Sequence, residues 1–179
     1  SVLALEAAER LRSRMELDLE HSLSKLSAAA DDIAYEPDRA QSILSRFFKN
    51  NLHFHNIALV GKNGKELILI DRLNGIVLDG AGDYSQNPLF YIAQQQVHHI
   101  GNVQMSTDHR PFTTTAIPIV QDNELKFILI ADLYIDNLIP PDHIARFSAS
   151  SYVVDRNGWI ILASDRARPA AYPNVLNRQ

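Results

Sequence analysis

Leu11, Met15, Leu19, Leu23, Leu26, Ala30 and Ile33 recur every three or four residues, and no Gly or Pro interrupts residues 2–35. This is the stripe of an amphipathic helix. Roughly 35 residues at about 1.5 Å per residue give a rod of about 50 Å, longer than a helix that only covers a core. The charged face, with Glu6, Glu9, Arg10, Glu16 and Glu20, is solvated; the apolar stripe suits core packing, a dimer seam or a signalling rod. Pro37 ends the pattern. Asp38, with Gln41 three residues on, predicts a capped second helix, whose apolar face is Ile43, Leu44, Phe47 and Phe48.

Around Asn56 the period changes from helix to strand, and the stretch IALVGKNGKELILID at 57–71 predicts a hairpin. Its turn is Lys62-Asn63-Gly64, where Asn-Gly supplies the positive φ angles of a two-residue turn. A Gly- and Asp-rich loop follows, from Leu73-Asn74-Gly75 to Gly80-Ala81-Gly82-Asp83. A short helix is predicted over 87–96, with Pro88 in its first turn. Strands are predicted at 102–106, 112–120 and 125–133, the last two joined by Gln121-Asp122-Asn123-Glu124. Ile139-Pro140-Pro141-Asp142 then starts a short helix to about Phe147.

A near-copy of the first hairpin, SYVVDRNGWIILASD, occupies 151–165, and the tail from 166 to 179 has no clear period. The expected fold class is α+β: a long N-terminal helix on a five-stranded antiparallel sheet with flanking helices. The second hairpin would open a second unit of the same kind, so that residues 1–147 form one unit and 148–179 begin another. About 30 residues are too few for an independent core.

With 46% apolar and 21% charged residues, the 179-residue chain has ordinary globular composition. A net charge of −4 leaves no basic footprint, so no nucleic-acid partner is expected. The absence of cysteine removes disulfides, thiolate zinc sites and a Cys nucleophile. No apolar run reaches the roughly 20 residues of a membrane span. The chain starts without Met inside a helical pattern, so a preceding signal peptide or membrane anchor is expected.

Motifs for catalysis are lacking. Gly61-Lys62-Asn63-Gly64-Lys65-Glu66 has two residues between its glycines where a phosphate loop has four, and Glu66 where that loop has Ser or Thr. No G-x-S-x-G or HExxH occurs. Of seven histidines, His53 and His55 alternate with Phe54 and would share a strand face, the one nucleus for a metal site; no metal or cofactor is expected.

The informative residues are polar ones in apolar strands. Asp132 interrupts the run Phe127-Ile128-Leu129-Ile130-Ala131; unpaired burial would cost several kcal/mol (about 3–5), so it faces solvent, a partner or a polar cavity. Thr113 and Thr115 share one strand face, with Phe112 and Thr114 on the other. Arg110 precedes Pro111 in a loop from which it could clamp an anion, and Tyr91 follows Phe90 in the short helix. Together they surround a candidate small-ligand cavity.

The order long helix, short helix, VxxxxGxxL hairpin, helix, and a strand pair ending in ADLYIDNL resembles the extracytoplasmic Cache (PAS-like) sensor domains of bacterial receptors. Histidine kinases, chemoreceptors and diguanylate cyclases carry them. In the double form a membrane-distal unit precedes a proximal one that opens with a YVVDRNG-like hairpin, matching 1–147 and 151–165. The resemblance implies a non-enzymatic, periplasmic part of an inner-membrane protein, joined to the membrane only by flanking helices. It implies a small-molecule ligand as partner and a homodimer through the N-terminal helix.

In the amino-acid-binding branch the short helix opens with Arg-x-Trp-Tyr; here Asn87-Pro88-Leu89-Phe90 lacks the Arg and the Trp. Asp132 matches the branch's Asp, which takes the ligand amine. By family position the pocket would lie near Tyr84, Asn87, Phe90, Tyr91, Gln104, Thr113, Thr115 and Asp132. Two alternatives stay open: a ligand-free dimerisation or protein-interaction module, and a metal-dependent enzyme on His53 and His55.

Overall fold

The computed structural model describes residues 2–108 and 110–138, together with strands at 152–154 and 160–163. Helix α1 runs Val2–Tyr35. On its solvent side Arg10–Glu6, Arg12–Glu16 and Arg14–Asp18 form i,i+4 pairs at 2.8–3.3 Å. Its stripe turns inward: Leu11, Leu23, Leu26, Ala30 and Ile33 are buried, and Met15 and Leu19 pack against the core. Of the residues suited to a dimer seam, Leu11 is buried and Met15 and Leu19 are partly buried within one chain.

A 3-10 turn at Pro37–Arg39 leads into α2, Ala40–Asn50. The predicted cap is absent, because the backbone does that work: the Ala40 N–H bonds Pro37 O, and neither Asp38 nor Arg39 caps by side chain. Ile43, Leu44, Phe47 and Phe48 are buried, as their spacing predicts.

The sheet holds β1 (Phe54–Gly61), β2 (Glu66–Asp71) and β3 (Gly75–Leu78). Helix α3 (Pro88–Gln94) precedes two short strands, β4 (His99–Ile100) and β5 (Gln104–Met105), and then β6 (Pro111–Gln121) and β7 (Glu124–Tyr134). The order is β3-β2-β1-β7-β6-β4, with β5 also on β6, and every pairing is antiparallel. Seven strands replace the predicted five. The additions, β3 and β4, lie on the edges, where two to four exposed residues carry no alternation to read.

Turn chemistry differs from expectation. At the first hairpin only Gly64 has positive φ, 84°, and the Gly64 N–H bonds Gly61 O, so the turn is a longer one closed by a left-handed glycine. The two-residue turn with two positive φ angles instead joins β6 and β7, at Asp122 and Asn123. Both residue types tolerate that region through local side-chain hydrogen bonding.

Alternate residues of the strands build two cores. Ile57, Leu59, Ile117, Ile119, Leu129, Ala131 and Leu133 face α1 and α2. Ala58, Val60, Ala116, Ile128 and Ile130 face α3, which inserts Phe90 and Ala93. The repeated hairpin is present as β8 (Tyr152–Val154) paired antiparallel with β9 (Ile160–Ala163). The predicted helix to Phe147, the boundary at 147 and the tail lie outside the described residues.

Candidate functional site

The α3 face changes character towards one end of its central strands. Register aligns Asp71, Asn56, Asp132 and Thr114 across β2, β1, β7 and β6. Asn56 Nδ2 donates to Asp132 Oδ2 at 2.8 Å, and Thr114 Oγ1 donates to Oδ1 at 2.6 Å. Among the described residues no Lys, Arg or His lies within ion-pair distance of Asp132. A half-buried carboxylate in a central strand thus rests on two neutral donors. Asp71 is differently occupied: its Oδ1 accepts the N–H groups of Leu73 and Asn74 at 2.8 and 2.9 Å.

Beyond this row stands an aromatic group. A bulge between Phe54 and Asn56 rotates the strand, so Phe54 enters the α1 core while His55 joins the α3 face. There its ring lies 4.8 Å from the Tyr134 ring, and Phe112 meets Tyr134 edge-on at 6.4 Å. Arg110 sits 3.8 Å above Tyr134 and binds both oxygens of Asp136 at 2.9 Å. That bidentate bond holds its guanidinium above the usual range. Arg110 is thus committed to Asp136, where the sequence left it available for an anion.

On the other flank Tyr84 donates its hydroxyl to Glu66 Oε2 at 3.2 Å. Burial first, then the charge of Glu66 and its hydrogen bond, with a contribution from Asp132, raise the phenol well above its ordinary pKa. Gly80 and Gly82 make room for the Glu66 carboxylate, where a Cβ would collide with its oxygens.

The eight expected site residues separate. Tyr84 and Asp132 come to the same face, and Phe90, 2% exposed, belongs to the apolar core beside them. Asn87 is the N-cap of α3, its Oδ1 accepting the Leu89 N–H at 2.8 Å. Tyr91 is 65% exposed, and Gln104 is exposed on edge strand β5. Thr113 and Thr115 are buried on the opposite face, paired with Leu133 and Ala131 of the α1 core. Their hydroxyls donate to Gly101 O and His99 O at 2.9 and 3.2 Å, which ties the β4 segment to β6.

Sequence reasoning gave Asn56, Thr114 and Tyr134 no place in a site, and considered His55 only as a metal ligand. Thr114 was visible by alternation, since it shares parity with Phe112 rather than Thr113; Asn56 needed the β1–β7 register, and His55 needed the bulge. That bulge also separates the histidine pair. His53 precedes the strand, where Asp18 and Lys25 of α1 act on it, whereas His55 packs tilted against Tyr134. The expectation that they share a face is thereby corrected, and among the described residues no three His, Cys, Asp or Glu converge. A separate groove of about 180 Å³ lies by the β6–β7 turn, lined by Ile33, Pro37, Leu125 and Phe127 among others, and touches none of these groups.

No family model and no curated protein matches the chain. Solved structures do. The sensory domain of the Campylobacter jejuni chemoreceptor Tlp3 superposes with a TM-score of 0.73 at 18% identity, over 89% of this chain and 70% of that one. Its ligand-binding domain in complex with L-valine gives 0.71. The extracellular domain of vpHK1S-Z8, assigned as a histidine kinase, gives 0.60 at 16% identity over 92% of this chain and 66% of that one. A domain of a protein assigned to the sensory box/GGDEF family of Vibrio parahaemolyticus gives 0.58 at 16%, over 93% and 70%. The fold of this chain is the α+β fold of receptor sensory domains, with the long helix on one side of an antiparallel sheet.

Proposed function

We propose that the chain is the extracytoplasmic small-molecule-sensing domain of a transmembrane signalling receptor, with its ligand site on the α3 face of the sheet. One observation carries this reading: Asp132 lies half-buried in a central strand, supported by Asn56 and Thr114 and lacking a counter-charge among the described residues. An uncompensated charge in such a place is costly unless a partner meets it, and a ligand bearing an ammonium group would supply one. Tyr84 flanks the carboxylate. With Asn87 in the place of the branch's Arg, the ligand's carboxylate anchor is missing. Primary and quaternary amines therefore head the expected ligands. Asn87 and Phe90 shape the site through α3, and Tyr91, Gln104, Thr113 and Thr115 act at its edge and behind it.

The test is thermal unfolding against a panel of amines, amino acids and organic acids, repeated with Asp132→Asn. A ligand at 100 times its dissociation constant stabilises by about 2.7 kcal/mol, a shift of several degrees for a domain of this size. Loss of the shift in the variant supports the site; an unchanged shift overturns it. The Asn87 cap and the exposure of Tyr91 favour a second reading, a ligand-free dimerisation or interaction module. That reading gives a flat panel together with concentration-dependent association in sedimentation.

A further inference from the structure

Among the described residues, His53 is the polar side chain that the fold leaves unanswered. It lies in the turn between α2 and β1, and its carbonyl accepts the Tyr134 N–H at 3.3 Å, which fixes the backbone to the end of β7. The imidazole Nδ1 is sealed from solvent and has no hydrogen-bond partner among the described residues. A neutral ring tolerates this, with the proton on Nε2 and a bare lone pair on Nδ1. Protonation would place an N–H and a charge where nothing accepts them.

The charged groups acting on the ring come from the long helix. Asp18 favours the charged form and Lys25 opposes it, while burial outweighs both and holds the imidazole below its ordinary value. Asp18 is already bound to Arg14 at 3.0 Å. Arg72, just after β2, binds Phe54 O, Phe48 O and Asn51 O and so holds the turn that carries His53 in place. Acidification therefore offers two escapes: the ring and α1 move apart, or Asp18 exchanges Arg14 for His53.

We propose that His53 is an acid-sensitive catch between the long helix α1 and the sheet, so that protons enter as a second input on the element that would carry the signal. The sign follows from linkage. In the folded state the ring binds fewer protons than in the unfolded chain, whose histidine titrates near pH 6.5. Stability is therefore complete above that pH and is lost as pH falls through the folded value. A population of loosened α1 grows over the same interval.

The experiment compares melting temperature and amide exchange between pH 7.5 and 5.0 for the wild-type chain and His53→Gln, a neutral isostere. The expected result is a fall of a few degrees on acidification in the wild type, accompanied by faster exchange around residues 18–25. In His53→Gln both effects shrink by at least half. Asp18→Asn, which removes the favourable charge, steepens the wild-type fall; Lys25→Gln lessens it. Equal acid responses in wild type and His53→Gln would overturn the proposal. So would a wild-type NMR titration placing His53 at or above pH 6.5, a measurement that stands even if the variant fails to fold.

Discussion

The two faces of this sheet are built from the same strands, alternate residue by alternate residue, and they serve different ends. Facing α1 and α2, β7 presents Leu129, Ala131 and Leu133, each nearly inaccessible, against Ile57, Leu59, Ile117 and Ile119. Facing α3, the same strand presents Ile128 and Ile130, then Asp132 and Tyr134. The first face is apolar except for Thr113 and Thr115 on β6, whose hydroxyls bond main-chain carbonyls, and it is covered by α1 and α2 (34 and 11 residues). The second is covered by the seven residues of α3 and a Gly-containing loop, and turns polar where that cover runs out. Close packing holds the fold on the first face; the incomplete cover of the second is where the proposed ligand site would lie.

The largest effect should follow from opening the dry face. Leu129 sits between Leu59 and Ile117 in register and is fully buried. Leu129→Ala removes three carbons and leaves a cavity, with an expected loss of about 3–4 kcal/mol. At roughly 2–4 °C per kcal/mol for a chain of this size, the melting temperature should fall by about 10 °C. A fall below about 3 °C would mean that α1 collapses into the gap, and that the face is less rigid than its burial implies.

Arg72 comes next, because it joins α2 to the sheet. Its guanidinium donates to Phe54 O, Phe48 O and Asn51 O at 2.8–3.0 Å and lies 3.9 Å over the Phe48 ring. The first two carbonyls belong to β1 and the last turn of α2, the third to the residue after it. Burial lowers its pKa without threatening its charge. Arg72→Ala should cost about 2 kcal/mol in urea unfolding. Arg72→Lys should recover less than half, since an ammonium lacks the planar fork. Full recovery by Lys would show that charge near the helix end, rather than geometry, is what matters.

These two residues also show what periodicity can and cannot report. Leu129 was legible from its own neighbours, since an apolar run bounded by turn residues is a core strand whichever partner it finds. The α1 stripe and the α2 face were legible for the same reason. Arg72 was not, because its three acceptors lie 18 to 24 positions away and are main-chain carbonyls, which every residue has. The candidate site was half legible. Asp132 announced itself as a carboxylate among apolar residues, but its partners Asn56 and Thr114 are 76 and 18 residues away. The pair chosen instead, Thr113 and Thr115, had the right chemistry and the wrong parity. One residue along a strand exchanges faces, and no composition signal distinguishes the two.

On the wet face the same kind of substitution should leave stability nearly intact. Asp132→Asn keeps the volume and one acceptor, and removes one charge-assisted hydrogen bond of two; the expected cost in urea is about 1 kcal/mol or less. Removing a charge that has no counter-ion offsets part of that. A loss as large as that of Leu129→Ala would erase the distinction between the faces and make Asp132 a structural residue.

The smallest effect separates cover from contact. By the resemblance Asn87 would stand where the amino-acid-binding branch has its Arg, yet its side chain closes the first turn of α3 by accepting the Leu89 N–H. If capping is its role, Asn87→Ala should cost about 0.5–1 kcal/mol, and Asn87→Ser, another good cap, should restore most of it. Because α3 is seven residues long, the loss should appear locally, as faster amide exchange in residues 89–94, before it appears in global unfolding. Any ligand-induced shift should survive in Asn87→Ser, whose cap is intact. If the Ser variant is stable but blind to every ligand that stabilises the wild type, Asn87 touches the ligand, and the wet face extends under the start of α3.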